Sequence, residues 1–282
     1  MVKIISDSTC DLPKELVEKY DISIIPLHIV MGETEYEDGF GLTPDDIFAW
    51  ADKNKTTPKT SAPSLETAMK VLKPFVDNKD EIVAFCISEP MSTSGNIIRM
   101  AAEELDAQDL VTVVNSENLS TGVALLAIEA AIMAKESASV EDILKRMKEL
   151  IPLVRTSFVV DTLTYLYRGG RCSGLAALAG GALKLHPRIN VIDGAMGPGK
   201  KYRGKIDKVI KDYIEDLKPE LLNAKPDRIF ITHSVKDRAI IDDTRKYLEE
   251  LNIFTEILEA PTGGVISSHC GPGTLGLIFI SK

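Results

Sequence analysis

Two hydrophobic periods alternate along the first half of the chain. Short apolar runs at residues 2–5, 23–30, 82–87 and 110–114 have strand length. Helix-like segments lie between and beyond them, at residues 13–20, 64–76, 94–105 and 121–135. Thr43-Pro44-Asp45-Asp46 predicts another helix start, with a hydroxyl cap, proline in the first turn and acids at the positive dipole end. Apolar strands separated by helices predict a parallel sheet covered on both faces. The stretch 121–135 is apolar around its whole circumference apart from Glu129. It is shorter than the ~20 residues a bilayer requires, so it reads as a buried helix.

The pattern changes after one more amphipathic helix, opened by Ser139-Val140-Glu141-Asp142 and ending near Leu150. Residues 158–160 are strand-like, and Gly169-Gly170-Arg171 and Gly180-Gly181 interrupt the chain. Residues 188–193 and 200–203 can pair across a glycine-rich turn. A helix at 205–217, a strand at 228–232 and a helix at 236–251 follow. Three strand-like segments close the chain, at 254–258, 265–268 and 274–280. The expectation is an α/β protein of two domains. The first, 1–155, carries a parallel sheet, and the second, 156–282, carries a mixed or largely antiparallel one.

Charge narrows the function classes. The 282 residues carry a formal charge of −9, which argues against a nucleic-acid backbone as partner. The N-terminus, Met1-Val2-Lys3-Ile4-Ile5-Ser6-Asp7, lacks the pattern of a secretory signal. Cytoplasmic location is expected by elimination. Cys10, Cys86, Cys172 and Cys270 are widely spaced and form no CxxC pair. His28, His186, His233 and His269 show no ligand spacing. No disulfide framework, metal or cofactor is expected.

Candidate chemistry gathers after the strands. Residues 2–5 are followed by Ser6-Asp7-Ser8-Thr9, residues 82–87 by Ser88-Glu89-Pro90-Met91-Ser92-Thr93-Ser94, and residues 110–114 by Asn115-Ser116. In an open parallel sheet ligands bind at the carboxyl ends of the strands, and the helix N-termini there favour anions. Each hydroxyl has a plainer reading as a helix cap. Recurrence after successive strands favours a small anionic head such as a carboxylate or phosphate. Thr60-Ser61-Ala62-Pro63-Ser64 is a second hydroxyl cluster, with Ser61 or Ser64 a possible cap. The segment from Gly194 to Lys200 fits G-x-x-x-x-G-K, but Lys201 stands where a phosphate loop requires Ser or Thr, so a hairpin turn is the better reading. No nucleophile elbow and no dinucleotide fingerprint is present. Arg168-Gly169-Gly170-Arg171 and His269-Cys270-Gly271-Pro272-Gly273 fit either structural turns or a phosphate-binding arginine.

Five of these segments, in this order, resemble the DegV family of bacterial fatty-acid-binding proteins. They are Ser6 to Pro13, Thr60-Ser61-x-Pro63-Ser64, Ser88 to Ser94, Asp161-Thr162-Leu163 through Arg171, and His269 through Leu277. The resemblance implies a three-layer N-terminal α/β domain and a C-terminal α/β domain around a buried acyl chain. It implies a lipid-binding protein without enzyme activity of its own, holding one fatty acid like palmitate, stearate or oleate. Thr60, Ser61, Ser92, Thr93 and Ser94 would hold the carboxylate, with His269 nearby. Arg171 and Arg203 would serve a partner, an ATP-dependent fatty acid kinase that makes acyl phosphate for phospholipid synthesis. The chain departs from the family pattern at Ala62 (usually Gln), Thr93 (usually Gly) and His186 (usually Lys). The alternative is an enzyme on a small phosphorylated or carbonyl substrate, since the N-terminal domain of the family resembles that of dihydroxyacetone kinases.

Overall fold

The structure, a computed structural model, describes residues 1–171 and 185–282. Cys172 and the Gly180-Gly181 pair lie outside them. The first half runs β1 (Val2–Asp7), α1 (Lys14–Tyr20), β2 (Ser23–Ile25), β3 (His28–Met31), β4 (Thr34–Glu37), α2 (Pro44–Asn54), β5 (Lys59–Ser61), α3 (Leu65–Asp77), β6 (Glu81–Cys86), α4 (Ser94–Glu104), β7 (Val111–Asn115), α5 (Thr121–Lys135) and α6 (Val140–Leu150). Thr43 caps α2 in a reciprocal capping box with Asp46, and Ser64 and Ser139 cap α3 and α6.

Strands β2-β1-β6-β7 form a parallel sheet. The single strand expected over residues 23–30 is two strands in two sheets. Pro26 lacks the N–H a ladder needs, and beyond it β3 joins β4 and β5 in a small antiparallel sheet. The short, polar β4 and β5 lack the alternation that would mark them as strands.

The second half runs β8 (Val154–Val159), α7 (Thr164–Gly169), β9 (Leu185–Ile192), β10 (Ala195–Arg203), α8 (Ile206–Leu222), β11 (Ala224–His233), α9 (Arg238–Leu251), β12 (Glu256–Pro261), α10 (Gly264–Cys270) and β13 (Leu275–Ser281). Its six-stranded sheet has the order β10-β9-β8-β13-β11-β12. Every neighbour is antiparallel except β11 with β12. The turn between β9 and β10 is tighter than the glycine-rich stretch suggests. Asp193 and Gly194 take consecutive positive φ angles of 49° and 74°, as a two-residue turn of type I′ requires. Residues 195–203 continue as strand, with a register irregularity between Pro198 and Lys201.

The two sheets share a middle layer. Helices α3 and α4 cover the outer face of the parallel sheet through Leu72, Ile98 and Ala101. Helix α5 covers its inner face and packs into the same apolar cluster as Phe230, Ile278 and Ile280 of the second sheet. Apolar neighbours on both sides explain why α5 is hydrophobic all round. Its one acid, Glu129, faces Arg146 at 3.2 Å and Arg228 at 3.8 Å. Helices α8 and α9 close the far side.

Residues 265–268, expected as a strand from their apolar, β-branched start, belong to α10. Two distant carboxylates impose the helical turn. Asp38 Oδ1 accepts from the N–H groups of Gly264 (2.8 Å) and Val265 (3.3 Å), and Asp11 Oδ1 accepts from Gly263 N–H (2.7 Å). These are the donors a helix start leaves unpaired. Burial raises the pKa of both acids, that of Asp38 to about 6. The bonds therefore hold a C-terminal helix against the N-terminal half.

Candidate functional site

Most hydroxyls at the strand ends are engaged within the protein. Ser6 donates to its neighbour's carbonyl, Ser8 to Asp38 (2.8 Å), Thr9 to Asp7 and Ser116 to the Asn118 carbonyl. Ser88 donates to the Gly194 carbonyl at 2.6 Å, tying the β9–β10 turn to the parallel sheet. These groups satisfy the fold's own buried polar atoms.

Residues of the other two segments line a cavity of about 450 Å³ between the halves. Thr60, Ser61, Ser92, Thr93, Arg171 and His269 line it, together with Ile87, Met91, Leu119, Met196, Val265 and Ile266. Six sequence candidates therefore meet here from four parts of the chain. Two do not line the cavity. Ser94 is fully buried at the start of α4, and Arg203 is exposed at the end of β10. Of the departures from the family pattern, Ala62 and Thr93 line the cavity. His186 is buried elsewhere, with Nδ1 2.9 Å from the Val160 carbonyl and Nε2 3.1 Å from that of Gly204.

Part of the cavity lining is polar. Thr93 is the N-cap residue of α4 and makes no side-chain capping bond. The Ser92 hydroxyl accepts from Ser94 N–H at 3.2 Å. Both stand at the positive end of the helix dipole. Opposite, Thr60 Oγ1 lies 2.7 Å from His269 Nε2. His269 Nδ1 is buried without a partner against Gly169, where a Cβ would come within 2.2 Å of it. Arg171 reaches the Gly169 carbonyl at 2.7 Å. Burial first, and the nearby Arg171 charge second, lower the pKa of His269 to about 4, so the imidazole is neutral at neutral pH. Glu89, also on the lining, is held by Arg99 at 2.6 Å.

The pKa of His269 has a thermodynamic consequence. A depressed folded-state value means that its contribution to stability is complete above its ordinary value of about 6.5. That contribution is lost as pH falls through about 4. The buried carboxylates, with raised values, act in the opposite sense. The wild type and His269→Gln should therefore be compared directly. Between pH 7 and pH 4 the wild type should lose about 2 kcal/mol relative to the variant, after allowance for solvent at the partly exposed ring. Denaturant titrations at each pH check this, and parallel curves would refute it.

Glu89, Met91, Met196, Val265 and Ile266 are lining residues not among the sequence candidates. Met91 and Glu89 sit inside the Ser88–Ser94 segment and were within reach of its reading. Met196 and the α10 residues carry no local signal, because folding alone brings them to the cavity.

The DegV family profile, described as that of uncharacterised proteins, matches residues 1–282. A Thermotoga maritima protein called a fatty acid-binding protein is 30% identical, over 98% of this chain and 96% of its own length. A Thermus thermophilus DegV family protein, whose structure is described as one of fatty acid binding, is 28% identical. It superposes with a TM-score of 0.90 over 100% of this chain and 99% of its own. A stearic acid-binding protein from Eubacterium ventriosum is 31% identical, with a TM-score of 0.88 and the same coverage. Matched along its whole length and sharing the α/β fold of these relatives, the chain belongs to the DegV family.

Proposed function

We propose that this chain binds one long-chain fatty acid and presents it to an ATP-dependent fatty acid kinase. The observation that carries the reading is the cavity itself: apolar along most of its wall, with hydroxyls, a helix N-terminus and a neutral histidine on part of it. Its volume is within the usual range for a small-molecule site. The solved relatives from Thermus and Eubacterium, described as binding fatty acid and stearic acid, support the same ligand.

The chemistry is differential. With its one ring proton on Nε2, neutral His269 donates to Thr60 Oγ1. The Thr60 proton is then free to point at a carboxylate, alongside Ser61, Ser92 and Thr93. Each buried methylene contributes roughly 0.8 kcal/mol. About fourteen of them give on the order of 11 kcal/mol before immobilisation costs, so hydroxyls suffice at the head group. Ser94 is buried at the start of α4, while exposed Arg171 and Arg203 can meet a partner and the charge of a transferring phosphoryl group. A division near residue 155 belongs to the same reading. Residues 1–155 bring the hydroxyls, and residues 156–282 bring Arg171, Met196 and His269.

Organic-solvent extracts of the purified protein should contain about one long-chain fatty acid per chain by mass spectrometry, and the stripped protein should rebind it. The protein alone with ATP and magnesium should make no acyl phosphate. Addition of the kinase should produce it, and Arg171→Ala or Arg203→Ala should slow that step with affinity little changed. An extract without lipid, together with no rebinding, overturns the reading.

A further inference from the structure

The cavity walls differ in stiffness. One wall is α10, which contributes Val265 and Ile266. Both are β-branched, with restricted χ1, and both ride on a helix pinned by the Asp11 and Asp38 carboxylates. The lining also includes Met91, from the turn before α4, and Met196, from β10. The two methionines belong to one apolar cluster with Leu119, Phe158, Val191 and Ile266 of α10. Methionine is unbranched, has three rotatable bonds and a polarizable sulfur, and adapts to irregular shapes. Met196 also stands just beyond a turn whose tip is tied to the parallel sheet by the Ser88–Gly194 bond.

We propose that Met91 and Met196 form an adjustable wall that sets the acyl specificity of this site, so that it accepts straight and cis-kinked chains of similar length alike. This rests on the fatty-acid reading above and deepens it. Apolar burial per methylene is nearly the same for a saturated and a monounsaturated chain, so discrimination must come from the shape of the wall. A rigid wall that misfits one chain by about a methylene discriminates roughly ten- to 200-fold. A wall that can change rotamer follows either chain, as methionine-rich surfaces do in permissive binders. Seated beside Ser92, Met91 meets the chain near its head. Met196 lines the same cavity from the other half of the protein.

The test is competition between stearate and oleate for delipidated full-length protein, with the wild type and the Met91→Ile/Met196→Ile double variant in parallel. Wild-type affinities should agree within about threefold. The double variant should separate them by tenfold or more while keeping a cooperative thermal transition. If the isoleucine variant does not fold, Met91→Leu/Met196→Leu replaces it, since this swap conserves volume, and a smaller separation in the same direction is expected. A wild type that already discriminates tenfold overturns the proposal and leaves fatty-acid binding intact. So does a folded variant that discriminates no better than the wild type. If neither acid binds to folded wild-type protein, the fatty-acid reading itself fails and this proposal with it.

Discussion

Thr60→Val and Ser92→Ala should each weaken fatty-acid binding roughly ten- to a hundred-fold while keeping a cooperative thermal transition. A hydrogen bond to a charged group is worth about 1.5–3 kcal/mol, and here the acceptor would be a carboxylate. Both residues line the cavity. The Thr60 substitution keeps the shape of the side chain and removes its hydroxyl, both donor and acceptor. It also leaves His269 Nε2 without its 2.7 Å partner, which places this variant at the larger end of the range. Thr60→Ser should recover most of the loss. The double variant should fall short of the sum, because both donors serve one carboxylate. Titration of delipidated protein with a fluorescent fatty acid, read beside circular dichroism, separates affinity from folding. Wild-type affinity in both single variants would place the head group elsewhere.

Asp38→Ala should cost more stability than Thr60→Val, Ser92→Ala or His269→Gln. One carboxylate there accepts from Ser8, Gly264 and Val265, and Asp38 is 3% exposed. Removing it strands the first N–H groups of α10 in a buried site, at about 3 kcal/mol, or roughly 6–10 °C in Tm for a chain of this size. Ligand binding should fall with it, because α10 carries Val265, Ile266 and His269 to the cavity. Asp38→Asn keeps an acceptor oxygen for the helix and should cost about a third as much. Differential scanning calorimetry of the three proteins gives the order. An alanine variant as stable as the wild type would show that α10 holds its place without the carboxylate.

Local chemistry made much of this protein legible from its residues alone. The caps at Thr43, Ser64 and Ser139 act over three or four residues, so the sequence carries both partners of each bond. The uniform hydrophobicity of α5 announced burial on every side, because nothing else makes such a helix soluble. Five short motifs in order pointed to the DegV family. Six of the residues they marked line one cavity.

Tertiary structure alone decided the rest. It turned residues 265–268 from strand into helix, because their capping groups, Asp11 and Asp38, lie more than two hundred residues away. It sorted the hydroxyls as well. Ser8 and Ser116 look like Ser92 in sequence, but buried partners consume the first two, while Ser92 lines the cavity. It set Arg203 outside the cavity and brought Met196 to its wall, neither of which a local pattern encodes. Periodicity and capping are short-range properties and survive in a string of letters. A cavity exists only where segments distant in sequence meet, and which donors remain free there depends on every other bond the fold has already made.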